Sequence, residues 1–208
     1  PLELFQIWLN LPAKNKMVSP HFTMLWAEQI PRRQVRDAAG AATDVVCIAG
    51  RVSDLSPLSP PPDSWASQTD ADVAIWTLRM DGAARWTLPA ASGAGTRRML
   101  YFFKGNHITV GGQRIDCPAA IELNAGRDIE LANGDGEGEM LLLQGRPINE
   151  PVAQYGPFVM NTQAEIQQAF ADYRRTQFGG WPWSDDAPVH AREQGRFAKH
   201  ADGTLENR

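Results

Sequence analysis

The chain has 208 residues, 43% hydrophobic and 21% charged, with seven tryptophans and a net charge of −4. That length allows one sizeable core and is short for two, and the composition excludes disorder throughout. The acidic balance excludes a dedicated nucleic-acid binder, because neutralising phosphates needs clustered cations and the pairs at 32/33, 97/98 and 174/175 are short and scattered.

No apolar run approaches the roughly 18 residues of a membrane span, and no basic region precedes a signal-like stretch. Cys47 and Cys117 lie far apart in strand-like runs, which predicts reduced, buried thiols and a cytoplasmic protein. The chain begins at Pro1 without methionine and enters a strand pattern at once, so it reads as a cut end.

Residues 2–11 alternate as a strand, with Leu4, Gln6, Trp8 and Asn10 on one face and Phe5, Ile7, Leu9 and Leu11 on a wholly apolar one. Pro12 ends it. A second strand is expected over 22–30, then a charged connector over 32–40 and a strand over 44–49 rich in Val45, Val46 and Ile48. The proline-rich stretch 56–67 predicts a surface loop. From Val73 the run VAIWTLRM turns at Asp81 and Gly82 and returns as RWTLP, a hairpin signal. Short strands follow over 99–103, 107–110, 113–115, 120–123, 129–131 and 140–143, separated by glycine-bearing turns. Connections this short exclude parallel crossovers and predict a β-sandwich or barrel.

One amphipathic helix is expected near 162–177, docked on a sheet. Thr162 and Glu165 form a capping box, Ile166, Ala169, Phe170 and Tyr173 share a face, and Gly179 and Gly180 supply a left-handed stop. Trp181 and Trp183 then predict a docking clip in preference to a ligand-stacking platform, and 184–208 reads as a tail with little to bury.

Each constellation that suggests chemistry fails a test. His21, His107, His190 and His200 never pair at spacings that aim two imidazoles at one metal. Asn133, Asp135, Glu137 and Glu139 alternate like a calcium loop, but Gln144 stands where a bidentate glutamate is needed. Gly134, Gly136 and Gly138 resemble a phosphate cradle but open no helix. Ser19 and His21 have no nucleophile geometry, and neither cysteine has an electropositive setting. No catalytic, cofactor-binding or metal residue is assigned.

FQIWLNLPAKNKM (5–17), EQIP (28–31), LLLQGRPINEPVAQYGPFVMNTQAEIQQAFADY (141–173) and GRFAKHADG (195–203) together resemble the C-terminal half of the pirin family. Pirins are bicupins, so the resemblance implies a mainly β, cupin-type double-stranded sandwich over 1–183 with its docked helix, and a tail over 184–208. It also implies a missing N-terminal cupin that carries Fe(II) or another divalent metal on three histidines and a glutamate. This sequence holds no H-x-H pair, so no ligand carries over and this chain is expected to bind no metal. Two roles follow by resemblance: half of a quercetin 2,3-dioxygenase-like parent, or a non-enzymatic, redox-responsive regulatory module. The implied partners are the N-terminal cupin of the same parent, a further protein, or a second copy of the chain.

Overall fold

The computed structural model describes residues 2–181, 183–184 and 189–208. The chain forms two compact units, Pro1–Leu11 with Leu25–Asn149, and Pro12–Met24 with Glu150–Arg208. The strands of the first are β1 (Arg32–Arg36), β2 (Ala42–Ala49), β3 (Ala74–Met80), β4 (Arg85–Leu88), β5 (Arg97–Lys104), β6 (Ile108–Val110), β7 (Gln113–Ile115), β8 (Ala119–Leu123), β9 (Ile129–Asn133) and β10 (Gly138–Gly145). They build a six-stranded sheet in the order β1-β2-β3-β10-β5-β8 and a four-stranded sheet in the order β4-β9-β6-β7. Every pairing is antiparallel, as the short connections require.

Alternation along the strands decides which face is inside. Trp76, Leu78 and Met80 of β3, Leu100 and Phe102 of β5, and Met140 and Leu142 of β10 are buried, and they share one core with Leu88, Ile108 and Leu131 of the other sheet. Each such side chain contributes about 1.5–3 kcal/mol by leaving water. The fold is therefore the two-sheet sandwich that the strand spacing predicts.

Several local expectations are corrected. The hairpin expected at Asp81 and Gly82 is a corner between sheets: β3 pairs with β2 and β10, whereas β4 pairs with β9. Ala83 takes a positive φ of 61° and its amide donates to the Gly134 carbonyl at 2.6 Å, while Ala84 is fully buried. Four residues thus carry the chain across the core instead of back along it. Asn133 braces the corner by donating to the carbonyls of Met80 and Asp81 at 3.1 and 2.8 Å.

The charged connector contains β1, an edge strand; an edge needs only one partner, and its arginines guard the open side. Residues 2–11 form no ladder. They lie against the first unit through side chains, with Phe5 and Phe103 edge to face at 4.9 Å. The expected facing survives in part, since Leu4 and Trp8 are 76% and 62% exposed and Phe5 only 39%. Residues 22–30 form no strand either, because the Trp26 carbonyl accepts from the Gln29 and Ile30 amides and closes a turn. Cys47 is buried as expected, but Cys117 is exposed in a bend.

The second unit holds the hairpin β11 (Ala153–Tyr155) and β12 (Phe158–Met160), the helix α1 (Gln163–Thr176), and the hairpin β13 (Phe197–Lys199) and β14 (Leu205–Asn207). Thr162 Oγ1 accepts from the Glu165 amide at 3.2 Å and Glu165 Oε2 accepts from the Thr162 amide at 2.7 Å, which is the expected capping box. The apolar face docks on the small β11–β12 hairpin, not on a large sheet: Ile166 is buried and Phe170 meets Phe158 edge to face at 4.8 Å. The helix ends within the expected bounds, but Gln177 and Phe178 take the left-handed helical conformation that the glycines were expected to supply, with φ of 46° and 51°, and Gly180 follows with a φ of 66° and an extended ψ. The stretch read as a tail carries the β13–β14 hairpin with Ala198 buried; residues 185–188 of it lie outside the described residues.

Candidate functional site

Three places in the fold gather polar chemistry. The first is the sandwich interior, where a cupin would hold a metal. Among the described residues the buried side chains of the first unit are apolar apart from Thr43, Cys47, Thr96, Arg98 and Asn133. The Cys47 thiol donates to the Gly50 carbonyl at 2.8 Å and burial pushes its pKa up, away from the thiolate a metal needs. The Asn133 amide nitrogen is committed to backbone carbonyls, and Arg98 brings a positive charge. This donor set does not fit a divalent cation. Among the described residues no three His, Cys, Asp or Glu side chains converge on a common point.

The second place is the network around Arg98, at the start of β5. Arg98 is 2% exposed because the alternation RRMLYFF sets it on the same face as Leu100 and Phe102. Its Nε donates to Gln144 Oε1 at 2.8 Å, its Nη2 donates to the same oxygen, and its Nη1 donates to the Pro89 carbonyl at 2.6 Å. Gln144 Nε2 in turn donates to the Asp72 carbonyl at 3.0 Å. The Asp72 carboxylate accepts from Ser92 Oγ at 2.9 Å, the Gly93 amide at 2.9 Å and Thr96 Oγ1 at 2.6 Å. Burial pushes this carboxyl up, but the donors from Thr96, Gly93 and Ser92 and the charge of Arg98 outweigh it and hold it below the ordinary aspartate value. Burial likewise lowers Arg98, against the charges of Asp72 and Asp128, although a guanidinium stays charged at any physiological pH. The network ties the start of β3, the 89–96 loop and the end of β10 together. The sequence counts Arg98 only as one of a few scattered arginine pairs; the strand alternation is the signal that places it inside.

The third place is in the second unit, where Pro12–Met24 meets the segment after Glu150. The Ala13 amide donates to Glu150 Oε2 at 2.6 Å, and Asn161 Nδ2 donates to the same oxygen at 3.0 Å. Lys16 Nζ donates to the Val159 carbonyl at 3.2 Å. Burial lowers the Lys16 pKa, opposed by the nearby charges of Glu150 and Glu165. The motifs PAKNK, INEP and MNTQAE, distant in sequence, thus close on one another. These hydrogen bonds join members of the cluster to one another and to backbone, which makes it a clamp.

The residues weighed from sequence for chemistry have other partners. Glu137 pairs with Arg79 and Lys104, and Lys104 also takes Glu139. The His107 carbonyl accepts from the Gly134 amide at 3.0 Å, and its ring packs where a Gly134 side chain would be. His200 Nε2 lies 2.6 Å from the Glu206 carboxylate across the β13–β14 hairpin, and His190 stacks edge to face on Phe197 at 4.7 Å. His21 and Ser19 are exposed.

The antiparallel two-sheet sandwich is the architecture of a cupin-type domain. Residues 75–179, about half of the chain, match the pirin C-terminal cupin domain, and the chain belongs to the pirin family. It is similar to a quercetin 2,3-dioxygenase-like protein of Pseudomonas aeruginosa, 33% identical over 180 residues, covering 82% of this chain and 57% of the relative. Another from Vibrio cholerae is 34% identical over 181 residues, covering 84% and 58%. Human pirin is 28% identical over 184 residues, covering 86% and 58%. The chain therefore spans little more than half the length of these relatives. The crystal structure of a quercetin 2,3-dioxygenase from Acinetobacter baumannii superposes with a TM-score of 0.68 at 29% identity, over 83% of this chain and 55% of that one.

Proposed function

We propose that this chain is the metal-free C-terminal half of a pirin-type bicupin and acts as the structural partner of a second, metal-bearing cupin in the same polypeptide. One observation carries the reading: the interior of this sandwich is filled by apolar side chains and a buried guanidinium, a donor set that repels a divalent cation. Oxygen chemistry of the quercetin 2,3-dioxygenase kind, if the longer polypeptide performs it, then belongs to the other cupin. What this chain contributes is a stable sandwich and a surface. Leu2, Leu4 and Trp8 expose 89%, 76% and 62% of their area, apolar surface of the kind that a neighbouring domain covers. Two unpaired thiols, Cys47 and Cys117, agree with work in the reducing cytoplasm.

The test is the metal content and intact mass of the native protein from its source, set beside those of this chain purified alone. The reading expects no stoichiometric iron and no quercetin turnover in this chain, and a heavier native polypeptide with bound metal. Stoichiometric iron in the 208-residue chain, or a native mass of 22.9 kDa, overturns it.

A further inference from the structure

Between β4 and β5 the chain runs through PAASGAGT, residues 89–96, and the glycine-bearing half of that loop closes around one carboxylate. Ser92 Oγ, the Gly93 amide and Thr96 Oγ1 all donate to Asp72, each within 2.9 Å. Only glycine fits at 93, since a Cβ there would stand 2.7 Å from Thr96 Oγ1 and 2.9 Å from Asp72 Oδ2. Two hydroxyls and a backbone amide converging in a glycine-bearing turn are the donor set of an oxyanion cradle. The chain itself supplies the anion.

The rest of the loop is fastened separately. The Ala90 amide donates to Asp128 Oδ1 at 2.7 Å, the Ala91 amide donates to the Ala125 carbonyl at 2.8 Å, and the Pro89 carbonyl accepts from Arg98. Among the described residues, hydrogen bonds tie Ser92, Gly93 and Thr96 to the rest of the unit through Asp72. Asp72 itself holds φ of 49° and ψ of 35°, the left-handed region that an L residue enters at a cost, and the three bonds to its carboxylate offset that strain. The buried Arg98 guanidinium adds a positive field that reaches Asp72. Asp128, the other carboxylate acting on Arg98, is already bound by the Ala90 amide.

We propose that the 92–96 loop is a binding site for a small carboxylate that this chain keeps filled with its own Asp72, which acts as a tethered ligand and latches the loop. The site prefers a carboxylate to a neutral amide, because the Gly93 amide can only donate and the Arg98 charge favours an anion. It involves no metal and stands apart from the role proposed above for the sandwich.

Asp72→Gly is the variant that empties the site: glycine holds φ of 49° without strain, and acetate is the side chain it removes. The readout is hydrogen exchange of the Gly93 amide in the full 208-residue chain by NMR, with the amides of β3, β5 and β10 reporting that the sandwich is folded. Gly93 should exchange about tenfold faster in the variant than in the wild type. Acetate should restore its protection saturably, and acetamide at the same concentration and ionic strength should not. Adding Thr96→Val to Asp72→Gly should remove the acetate effect. Ser92 is exposed, so Ser92→Ala in the otherwise wild-type chain keeps the fold and should speed Gly93 exchange about threefold, an arm that stands even where Asp72→Gly unfolds. Unchanged Gly93 exchange in either single variant overturns the latch. Equal action of acetate and acetamide, or an acetate effect that never saturates, overturns the carboxylate site and leaves Asp72 as a structural brace.

Discussion

Single side chains inside the sandwich carry opposite signs of stability. Thr43 is 1% exposed and its Oγ1 has no hydrogen-bond partner, so this hydroxyl was desolvated without return. Thr43→Val should raise the urea midpoint by the equivalent of about 1 kcal/mol. Asp72 works the other way. Its folded pKa is depressed, so its contribution is fully present above the ordinary aspartate value and is lost as pH falls through the depressed one. Acidification should therefore destabilise the wild type more steeply than Asp72→Asn, measured as unfolding midpoints across the acid range. Arg98 shows what was legible at this scale. The pattern RRMLYFF is enough to place it inside, but not to show that Gln144, 46 positions away, receives it. Partner choice over that distance depends on β5 and β10 being neighbours, which no local pattern encodes.

At the scale of elements, both ends of α1 can be tested. The Thr162 cap satisfies an amide that the helix leaves open, and Thr162→Ala should cost about 1 kcal/mol, read as earlier loss of helicity and faster amide exchange over 163–166. The stop is strained, since Gln177 holds φ of 46° where an L residue loses energy and glycine does not. Gln177→Gly should stabilise α1 by about 1 kcal/mol, visible as slower exchange in its last turn. The start of the helix was legible because capping chemistry is local. Its end falls where expected, but the stop was assigned to the wrong residues, because the glycines that favour such a turn stand two residues beyond Gln177 and Phe178, which make it. The corner at residues 81–84 failed for a related reason. Asp-Gly between alternating strands favours a hairpin, yet the buried Ala84 and the Ala83 bond to Gly134 draw the chain to the other sheet. Tertiary burial outweighs turn propensity there.

At the scale of the molecule, apolar surface left in water is the property with the widest consequence. Residues 2–11 expose Leu2, Leu4 and Trp8, and the second unit exposes Tyr155, Tyr173, Phe178 and Trp181. The chain by itself should self-associate at high concentration, and Leu4→Glu combined with Trp8→Glu should shift sedimentation towards monomer. A wild type that stays monomeric throughout would show that this surface needs no cover. The second unit has another whole-molecule feature. Its core is thin, with Pro12, Ala153, Ile166 and Ala198 its buried apolar side chains among the described residues, and two small hairpins of the kind that are marginal alone.

By itself the sequence determined the class of the fold, because period-two burial, glycine-bearing turns and short connections admit antiparallel sheets and little else. It determined the capped helix and, through the stretches 5–17, 28–31, 141–173 and 195–203, the family to which the chain belongs. Tertiary structure alone decided which strands are neighbours, that 81–84 is a corner, that 2–11 has no ladder, and that the resembling motifs close on Lys16, Glu150 and Asn161. The physical reason is the range of the forces involved. Periodicity and capping are set within a few residues, whereas a buried guanidinium, a sheet order or a clamp exists only when distant segments exclude water together.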